Sequence, residues 1–146
     1  MKQIVGGIVE CRDGFFLATN SHGILKLNER LNIVNNYDVP SLDLHGMKLG
    51  PNQILYVVET AVNALGIYQT NPFKRIDEIK ISPFSDDQNH INDIYISNDS
   101  IFVSMFSLTG AGEIEMGYLM ALFQNMIYNQ NNLLKYIMIT YSFLIV

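Results

Sequence analysis

Apolar and polar residues alternate in three stretches of the chain, at residues 7–19, 46–58 and 93–105. Each stretch has a short alternating run, a turn rich in Gly, Pro, Asn, Asp and Ser, and a second apolar run. Alternation with a period of two predicts half-buried β-strands, and turn residues between two such runs predict a hairpin. The pattern therefore predicts three copies of one β-hairpin.

The three hairpins align when residues 14–18 are laid on residues 53–57 and on residues 100–104, at offsets of 39 and then 47. In the first two copies a third and a fourth apolar run follow, which gives four short strands in about 40 to 45 residues, the period of a β-propeller blade. A β-sandwich has turns as often, but it does not require copies that match in turn and strand register. We expect an all-β fold and favour the propeller.

The repeat places blades at about residues 3–39, 43–81 and 90–110, so that residues 1–110 form a partial β-propeller of about two and a half four-stranded blades. Propellers close their ring with roughly four to eight blades. The expected fold is therefore an incomplete β-propeller.

Residues 111–146 have a different composition, with three charged residues, no proline and four of the seven methionines. We expect an apolar tail that is not part of the propeller. A membrane anchor at residues 133–146 is one interpretation, but these 14 residues include Lys135 and fall short of the roughly 20 that span a bilayer. A buried or misfolded apolar segment is the favoured alternative, and no membrane span is expected.

A shifted reading of the same codons gives a third interpretation of the tail. The shift forces Gly from Met116-Gly117 and Asp from Met126-Ile127, and permitted codons extend this to a hydrophilic turn and an alternating strand that would finish the third blade. We hypothesise that the tail is an out-of-frame translation of missing blades, which the nucleotide sequence after the codon for Gly110 tests.

Composition narrows the class of protein. The chain has 146 residues, 49% of them hydrophobic, and a net charge of −5, which suits one folded domain without a nucleic-acid partner. Cys11 is the one cysteine, so no intrachain disulfide forms and a reducing compartment is expected. The apolar stretch at the N-terminus is too short for a signal peptide, which predicts a cytoplasmic location.

Two segments resemble a known family. Residues 57–63 (Val-Val-Glu-Thr-Ala-Val-Asn) and 90–94 (His-Ile-Asn-Asp-Ile), together with the shifted tail, are similar to a bacterial family of uncharacterised propeller proteins that is related in fold to NHL-type and gluconolactonase-like propellers. The resemblance covers residues 1–110. It implies a propeller with a ligand-binding axial face, and it brings no assigned reaction.

Oxygen and imidazole side chains near the predicted strand ends are the candidate ligand-binding or metal-binding residues: His45, Glu59, His90, Asn92 and Asp93. In propellers that bind a divalent ion, such ligands converge on the axis from different blades. The alternative is that they are loop side chains that cap backbone groups, with the histidines in structural hydrogen bonds.

No sequence motif assigns a catalytic residue, since the chain has no Gly-rich phosphate loop, no Cys pair for zinc and no Gly-x-Ser-x-Gly elbow. We therefore expect a scaffold that binds an unknown small molecule or protein, without a cofactor and without an intact activity of its own. The alternative is a fragment of a metal-dependent, lactonase-like hydrolase. In that hypothesis Glu59, Asn92 and Asp93 are partial ligands of a divalent cation held by an intact relative.

Overall fold

The computed structural model describes residues 5–97, 100–107, 120–127 and 137–143, and it confirms the predicted all-β fold. The strands form three antiparallel four-stranded sheets, each built from strands that are consecutive in the chain. Short 3₁₀ turns lie at Pro51–Gln53 and Thr60–Val62. Sheet 1 contains β1 (Val5–Cys11), β2 (Gly14–Thr19), β3 (Ile24–Leu27) and β4 (Ile33–Tyr37). Sheet 2 contains β5 (Leu44–Leu49), β6 (Ile54–Glu59), β7 (Ala64–Thr70) and β8 (Phe73–Lys80). Sheet 3 contains β9 (Ile91–Ser97), β10 (Ser100–Met105), β11 (Met120–Ile127) and β12 (Ile137–Phe143).

Sheet 3 has two strands more than the half blade that the repeat led us to expect. Strand β11 pairs with β10, and β12 pairs with β11, so both added strands come from the segment that we had set apart by composition. Backbone N–H and C=O groups can pair across strands whatever the side chains are, so a segment without repeat-like patterning can still extend a sheet. The out-of-frame origin of residues 111–146 stays a prediction.

Sheet 2 lies between the other two sheets and is buried on both faces. One apolar cluster joins it to sheet 1, and its buried members are Phe16, Ala18, Ile24, Leu44, Met47, Leu55, Val57 and Tyr68. A second cluster joins it to sheet 3, and its buried members are Tyr56, Val58, Leu65, Ile67, Ile79, Ile91, Ile94, Ile101, Val103 and Met105. Successive strand residues point to opposite faces, so alternate residues of β6 enter different clusters.

This packing corrects the alignment of the repeats by one residue. Phe16 faces the following sheet, as Tyr56 does, whereas Leu55, which the offset of 39 matched to Phe16, faces the preceding sheet. The corresponding pair is therefore Phe16 and Tyr56, at an offset of 40. By the same criterion Leu55 corresponds to Ile101, at an offset of 46 instead of 47. A shift of one residue exchanges the two faces of a strand.

The first strands of the three sheets lie side by side, and glycines permit their close approach. A Cβ atom on Gly7 of β1 would lie 2.9 Å from the carbonyl oxygen of His45 on β5. A Cβ atom on Gly46 of β5 would lie 2.1 Å from Oδ1 of Asp93 on β9. A side chain at either position would force the strands apart. In the described part of the chain, no helix has the length and apolar character to cross a membrane.

Because sheet 2 lies between two other sheets, we expect a cavity in its core to lower the free energy of unfolding strongly. Leu55 is fully buried, whereas 51% of Leu42, in the loop before β5, is exposed. We expect Leu55→Ala to lower the free energy of unfolding by about 2–5 kcal/mol and Leu42→Ala to change it by less than about 0.5 kcal/mol. Urea denaturation of both variants measures the difference, and equal effects would contradict the packing.

Candidate functional site

The side-by-side first strands form a polar groove of about 330 Å³, which we call the first-strand groove. Its lining comes from all three sheets: Gly6, Gly7 and Ile8 of β1, His45, Gly46, Met47 and Lys48 of β5, and Asn92 and Asp93 of β9. Glycines leave backbone N–H and C=O groups accessible where another residue would cover them with a side chain. The groove therefore offers backbone groups as well as an imidazole, an ammonium, an amide and a carboxylate.

Two of the predicted site residues, His45 and His90, are neighbours. Their ring centroids lie 5.5 Å apart in an edge-on arrangement. Each histidine also has a carboxylate partner, since Nε2 of His45 lies 3.5 Å from Asp43 and Nδ1 of His90 lies 2.7 Å from Asp87. The backbone N–H of His90 donates to the same Asp87 side chain, which supports the left-handed conformation of His90 (φ 47°).

Asn92 and Asp93 lie on β9 at the edge of the groove, and their side chains also stabilise the local backbone. Nδ2 of Asn92 donates to the carbonyl of His90 at 3.1 Å. Oδ1 of Asp93 accepts from the backbone N–H of Ile94 at 2.8 Å, and the backbone N–H of Asp93 donates to Oγ of Ser104 at 3.1 Å. Capping contacts of this kind were the alternative to a ligand role, and the ligand role of both residues stays a prediction.

Glu59 is the predicted site residue that the structure places elsewhere. It ends β6 on the face that packs against sheet 1, and alternation along the strand directs its side chain away from sheet 3, which carries Asn92 and Asp93. Its carboxylate is only 1% exposed and does not line the first-strand groove. The five predicted residues therefore divide into a group of four near the groove and Glu59 apart from them.

A buried network holds the Glu59 carboxylate. The Tyr68 hydroxyl donates to Oε1 at 2.5 Å, Nε of Arg75 donates to the same oxygen at 3.1 Å, and a terminal nitrogen of Arg75 donates to Oε2 at 2.7 Å. Two-pronged contacts between arginine and carboxylate are among the stronger hydrogen bonds in proteins. Burial, together with the hydrogen bond to Glu59, raises the pKa of Tyr68 above its usual range. The network stabilises the interior of sheet 2 and leaves little of Glu59 for a ligand.

Lys48 is a groove residue that the sequence analysis missed. It follows Met47, which packs against sheet 1, so alternation places Lys48 on the other face of β5, toward sheet 3. Among the described residues, no carboxylate lies within 4.0 Å of its ammonium group. In the run Met47-Lys48-Leu49 the lysine occupies the polar position of the alternation, and this was the available signal that its side chain lies on the face opposite Met47.

A buried amide pair, Asn63 and Asn89, fixes the loop that leads into β9. Oδ1 of Asn63 accepts from the backbone N–H of Asn89 at 3.2 Å, and Nδ2 of Asn63 donates to the carbonyl of Asp86. Nδ2 of Asn89 donates to the carbonyl of Ser107 at 2.7 Å. The loop thereby positions His90 and Asn92 beside the first-strand groove.

The described residues do not supply the set of ligands that the metal-site hypothesis requires. Within the described ranges, no three His, Cys, Asp or Glu side chains are arranged to hold a metal ion. Glu59, one of the three partial ligands of the lactonase hypothesis, is bound to Tyr68 and Arg75 on the other side of sheet 2. The residues present therefore do not fit that divalent-ion site.

No family model matches the chain, and no curated protein is similar to it at a significant level. A solved structure described as "KlHsv2 with loop 6CD replaced by a Gly-Ser linker" is similar to it with a TM-score of 0.49 and 13% sequence identity. The similarity covers 86% of this chain and 49% of that one, so the chain spans about half the length of that structure.

The network around Glu59 predicts that removal of the Glu59 carboxylate lowers the free energy of unfolding more than removal of the Glu78 carboxylate does. Glu59→Ala would leave Arg75 without its buried partner, and we expect a loss of about 3 kcal/mol in the free energy of unfolding. Glu78 also contacts Arg75, but its side chain is 38% exposed, so Glu78→Ala serves as the control with a loss of at most about 1 kcal/mol. Chemical denaturation measures both losses. Equal losses would contradict a structural role for Glu59.

The raised pKa of Tyr68 predicts a pH-dependent stability. The folded state keeps the phenol proton at pH values where an unfolded tyrosine, with a pKa of about 10, has released it. The stabilisation from the Tyr68 hydroxyl is therefore complete below pH ~10 and is lost as the pH rises above it. We expect the gap in the free energy of unfolding between the native protein and Tyr68→Phe to narrow by about 1.4 kcal/mol between pH 7 and pH 11.

Urea denaturation of both proteins across this pH range measures the gap. Other groups that titrate in the alkaline range, such as Lys26, are present in both proteins and cancel in the comparison. A gap that stays constant from pH 7 to pH 11 would contradict the buried hydrogen bond between Tyr68 and Glu59.

Proposed function

We propose that the three sheets are consecutive blades of an incomplete β-propeller and that the chain is a scaffold that binds a small polar molecule in the first-strand groove. The observation that carries the proposal is the meeting of β1, β5 and β9 in one polar groove. In a propeller the blades surround a central channel, and ligand sites are concave and combine a few polar groups. The order of the sheets in space follows their order in the chain, as it does for the blades of a propeller.

The side chains of the groove favour a ligand that carries a carboxylate and several hydroxyl groups. Lys48 supplies the positive charge for a carboxylate, the Asp93 carboxylate can accept hydrogen bonds from hydroxyl groups, and Asn92, His45 and the backbone of the glycine positions supply further donors and acceptors. A volume of about 330 Å³ is at the lower end for ligand pockets and suits a molecule of sugar-acid size. The chemical class that we propose is a small polyhydroxy acid.

Binding without turnover is the better supported of our two functional hypotheses. The lactonase-like alternative requires Glu59 to join Asn92 and Asp93 around a divalent cation, and these side chains lie on different sheets and face apart. Four predicted residues lie at or beside the groove, and these four agree with a binding site that needs no cation.

The proposal predicts that D-gluconate binds and that Lys48 contributes to its affinity. Lys48→Met keeps the length of the side chain and removes its charge, so we expect affinity to fall by about tenfold or more. Lys74→Met on β8, an exposed position outside the groove, is the matched control and should leave affinity unchanged. Isothermal titration calorimetry measures each dissociation constant.

Two results would count against this site. If native protein shows no heat of binding with D-gluconate at millimolar concentration, the proposed ligand class is wrong. If Lys48→Met and Lys74→Met weaken binding equally, the ligand binds outside the first-strand groove. A titration with Ca²⁺ alone tests the alternative hypothesis in the same instrument.

A further inference from the structure

A buried lysine of sheet 1 contacts the one cysteine of the chain. The side chain of Lys26 on β3 is 10% exposed. Its Nζ lies 2.9 Å from Sγ of Cys11 on β1 and 2.6 Å from Oδ1 of Asp13 in the turn between β1 and β2. Lysine is rarely buried to this extent. We call Cys11, Asp13 and Lys26 the thiol–amine cluster.

Strand pairing explains why the thiol and the amine meet. Val9 of β1 and Lys26 of β3 pair with Phe16 of β2 from opposite sides. Cys11 lies two residues beyond Val9, so its side chain is on the same face of sheet 1 as those of Phe16 and Lys26. The lysine side chain extends over the Phe16 ring, with Nζ 5.1 Å from the ring centre, and reaches Cys11. The cluster therefore spans the sheet from β3 to β1.

The ion pair with Asp13 accounts for only part of this arrangement. The Asp13 side chain is 77% exposed, and ion pairs with such exposure contribute little to stability, whereas removal of the lysine ammonium from water is costly. The same ammonium contacts the sulfur of Cys11, which is half-buried and within reach of a small molecule. Reactive cysteines occur in partly exposed positions next to a positive charge. The geometry therefore suits a reaction at Cys11.

The nature of that reaction follows from the absence of a second thiol in the sequence. Peroxide oxidises a cysteine to a sulfenic acid, which then condenses with a thiol to a disulfide or with a nitrogen to a sulfenamide. No other cysteine of the chain can supply the thiol, whereas Lys26 supplies a nitrogen at 2.9 Å from Sγ. We propose that hydrogen peroxide converts Cys11 and Lys26 into a reversible sulfenamide crosslink.

The first step of the proposed reaction oxidises Cys11. Its sulfur attacks one oxygen of hydrogen peroxide, so that an S–O bond forms as the O–O bond breaks. The departing hydroxide takes the thiol proton and leaves as water. The sulfur loses two electrons, and the peroxide gains them. The product is a sulfenic acid beside the Lys26 ammonium group.

The second step forms the S–N bond. Asp13 accepts one proton from the Lys26 ammonium group, to which it is hydrogen-bonded at 2.6 Å, and passes it to solvent. The neutral nitrogen then attacks Sγ of Cys11, and the S–O bond breaks. The departing hydroxide takes a second proton from the nitrogen and leaves as water. A thiol reductant reverses the crosslink by attack on the sulfur, which releases the amine.

The crosslink would join an edge strand to the interior of its sheet. In sheet 1, β1 lies at the edge and β2 separates it from β3. Cys11 and Lys26 are 15 residues apart, and a covalent link across such a loop restricts the unfolded chain. We therefore expect oxidation to raise the urea concentration at the midpoint of unfolding and reduction to restore it.

Mass spectrometry of the full chain treated with hydrogen peroxide tests the proposal. We expect the native chain to lose the mass of two hydrogen atoms and to regain it with dithiothreitol. After digestion, the peptide that contains Cys11 should be joined to the peptide that contains Lys26. The same peptide map locates any oxygen that peroxide adds to methionine, so that this product is not confused with the crosslink.

Lys26→Arg is the variant that separates the crosslink from simple oxidation of Cys11. Arginine keeps the positive charge and the hydrogen-bond donors, but its guanidinium stays protonated and does not attack sulfur. We expect Cys11 of this variant to gain oxygen, as a sulfenic or sulfinic acid, without loss of two hydrogen atoms. Lys74→Arg, at an exposed position of β8, is the matched control and should form the crosslink as the native chain does. Circular dichroism checks that both variants keep their sheets.

Three results would overturn the inference. If Cys11 of the native chain stays a free thiol in peroxide, the cluster is not reactive. If the native chain gains oxygen at Cys11 to the same extent as Lys26→Arg, the amine takes no part. If the product of the native chain is a disulfide between two copies, the sulfenic acid reacts outside its own chain. The peptide map of the native chain distinguishes these results even if a variant fails to fold.

Discussion

Burial of sheet 2 on both of its faces is the constraint on which the rest of the structure depends. Packing against sheet 1 on one side and sheet 3 on the other requires apolar residues at successive positions of β6 and β7, and the run from Leu55 to Val58 supplies them. Burial of apolar area is the main favourable contribution to folding, so most of the stability of the described chain lies in these two contacts. The hairpins of sheets 1 and 3 are stabilised by their apolar contacts with sheet 2.

The same constraint explains where polar groups are found. A charged group inside sheet 2 must be neutralised in place, and Arg75 and Tyr68 do this for Glu59. The first strands, by contrast, meet along their edges, where glycines allow close contact and leave backbone groups accessible. Polar side chains such as Lys48 and Asp93 are tolerated there because the groove is open to water. The site is thus a consequence of how the sheets stack.

Strand positions and turns could be predicted from the sequence, because alternation and turn residues are local signals. The register between repeats could not, since β6 is apolar at every position from Ile54 to Val58 and no polar residue marks a face. The partners of Glu59 could not be predicted either, because Tyr68 and Arg75 lie 9 and 16 residues further along the chain and contact Glu59 only through strand pairing. Pairing by β11 and β12 had no pattern to predict it, since backbone groups alone define a strand pair.

The most direct test of this account is a measurement of which face of sheet 2 contacts which neighbour. Nuclear Overhauser effects between labelled methyl groups of isoleucine, leucine, valine and alanine report such contacts. The account predicts cross-peaks that connect Leu55 and Val57 with Ala18 and Ile24 of sheet 1, and Val58 and Ile67 with Ile94 and Val103 of sheet 3. Cross-peaks from Leu55 or Val57 to the isoleucines of sheet 3, in place of those to sheet 1, would contradict it.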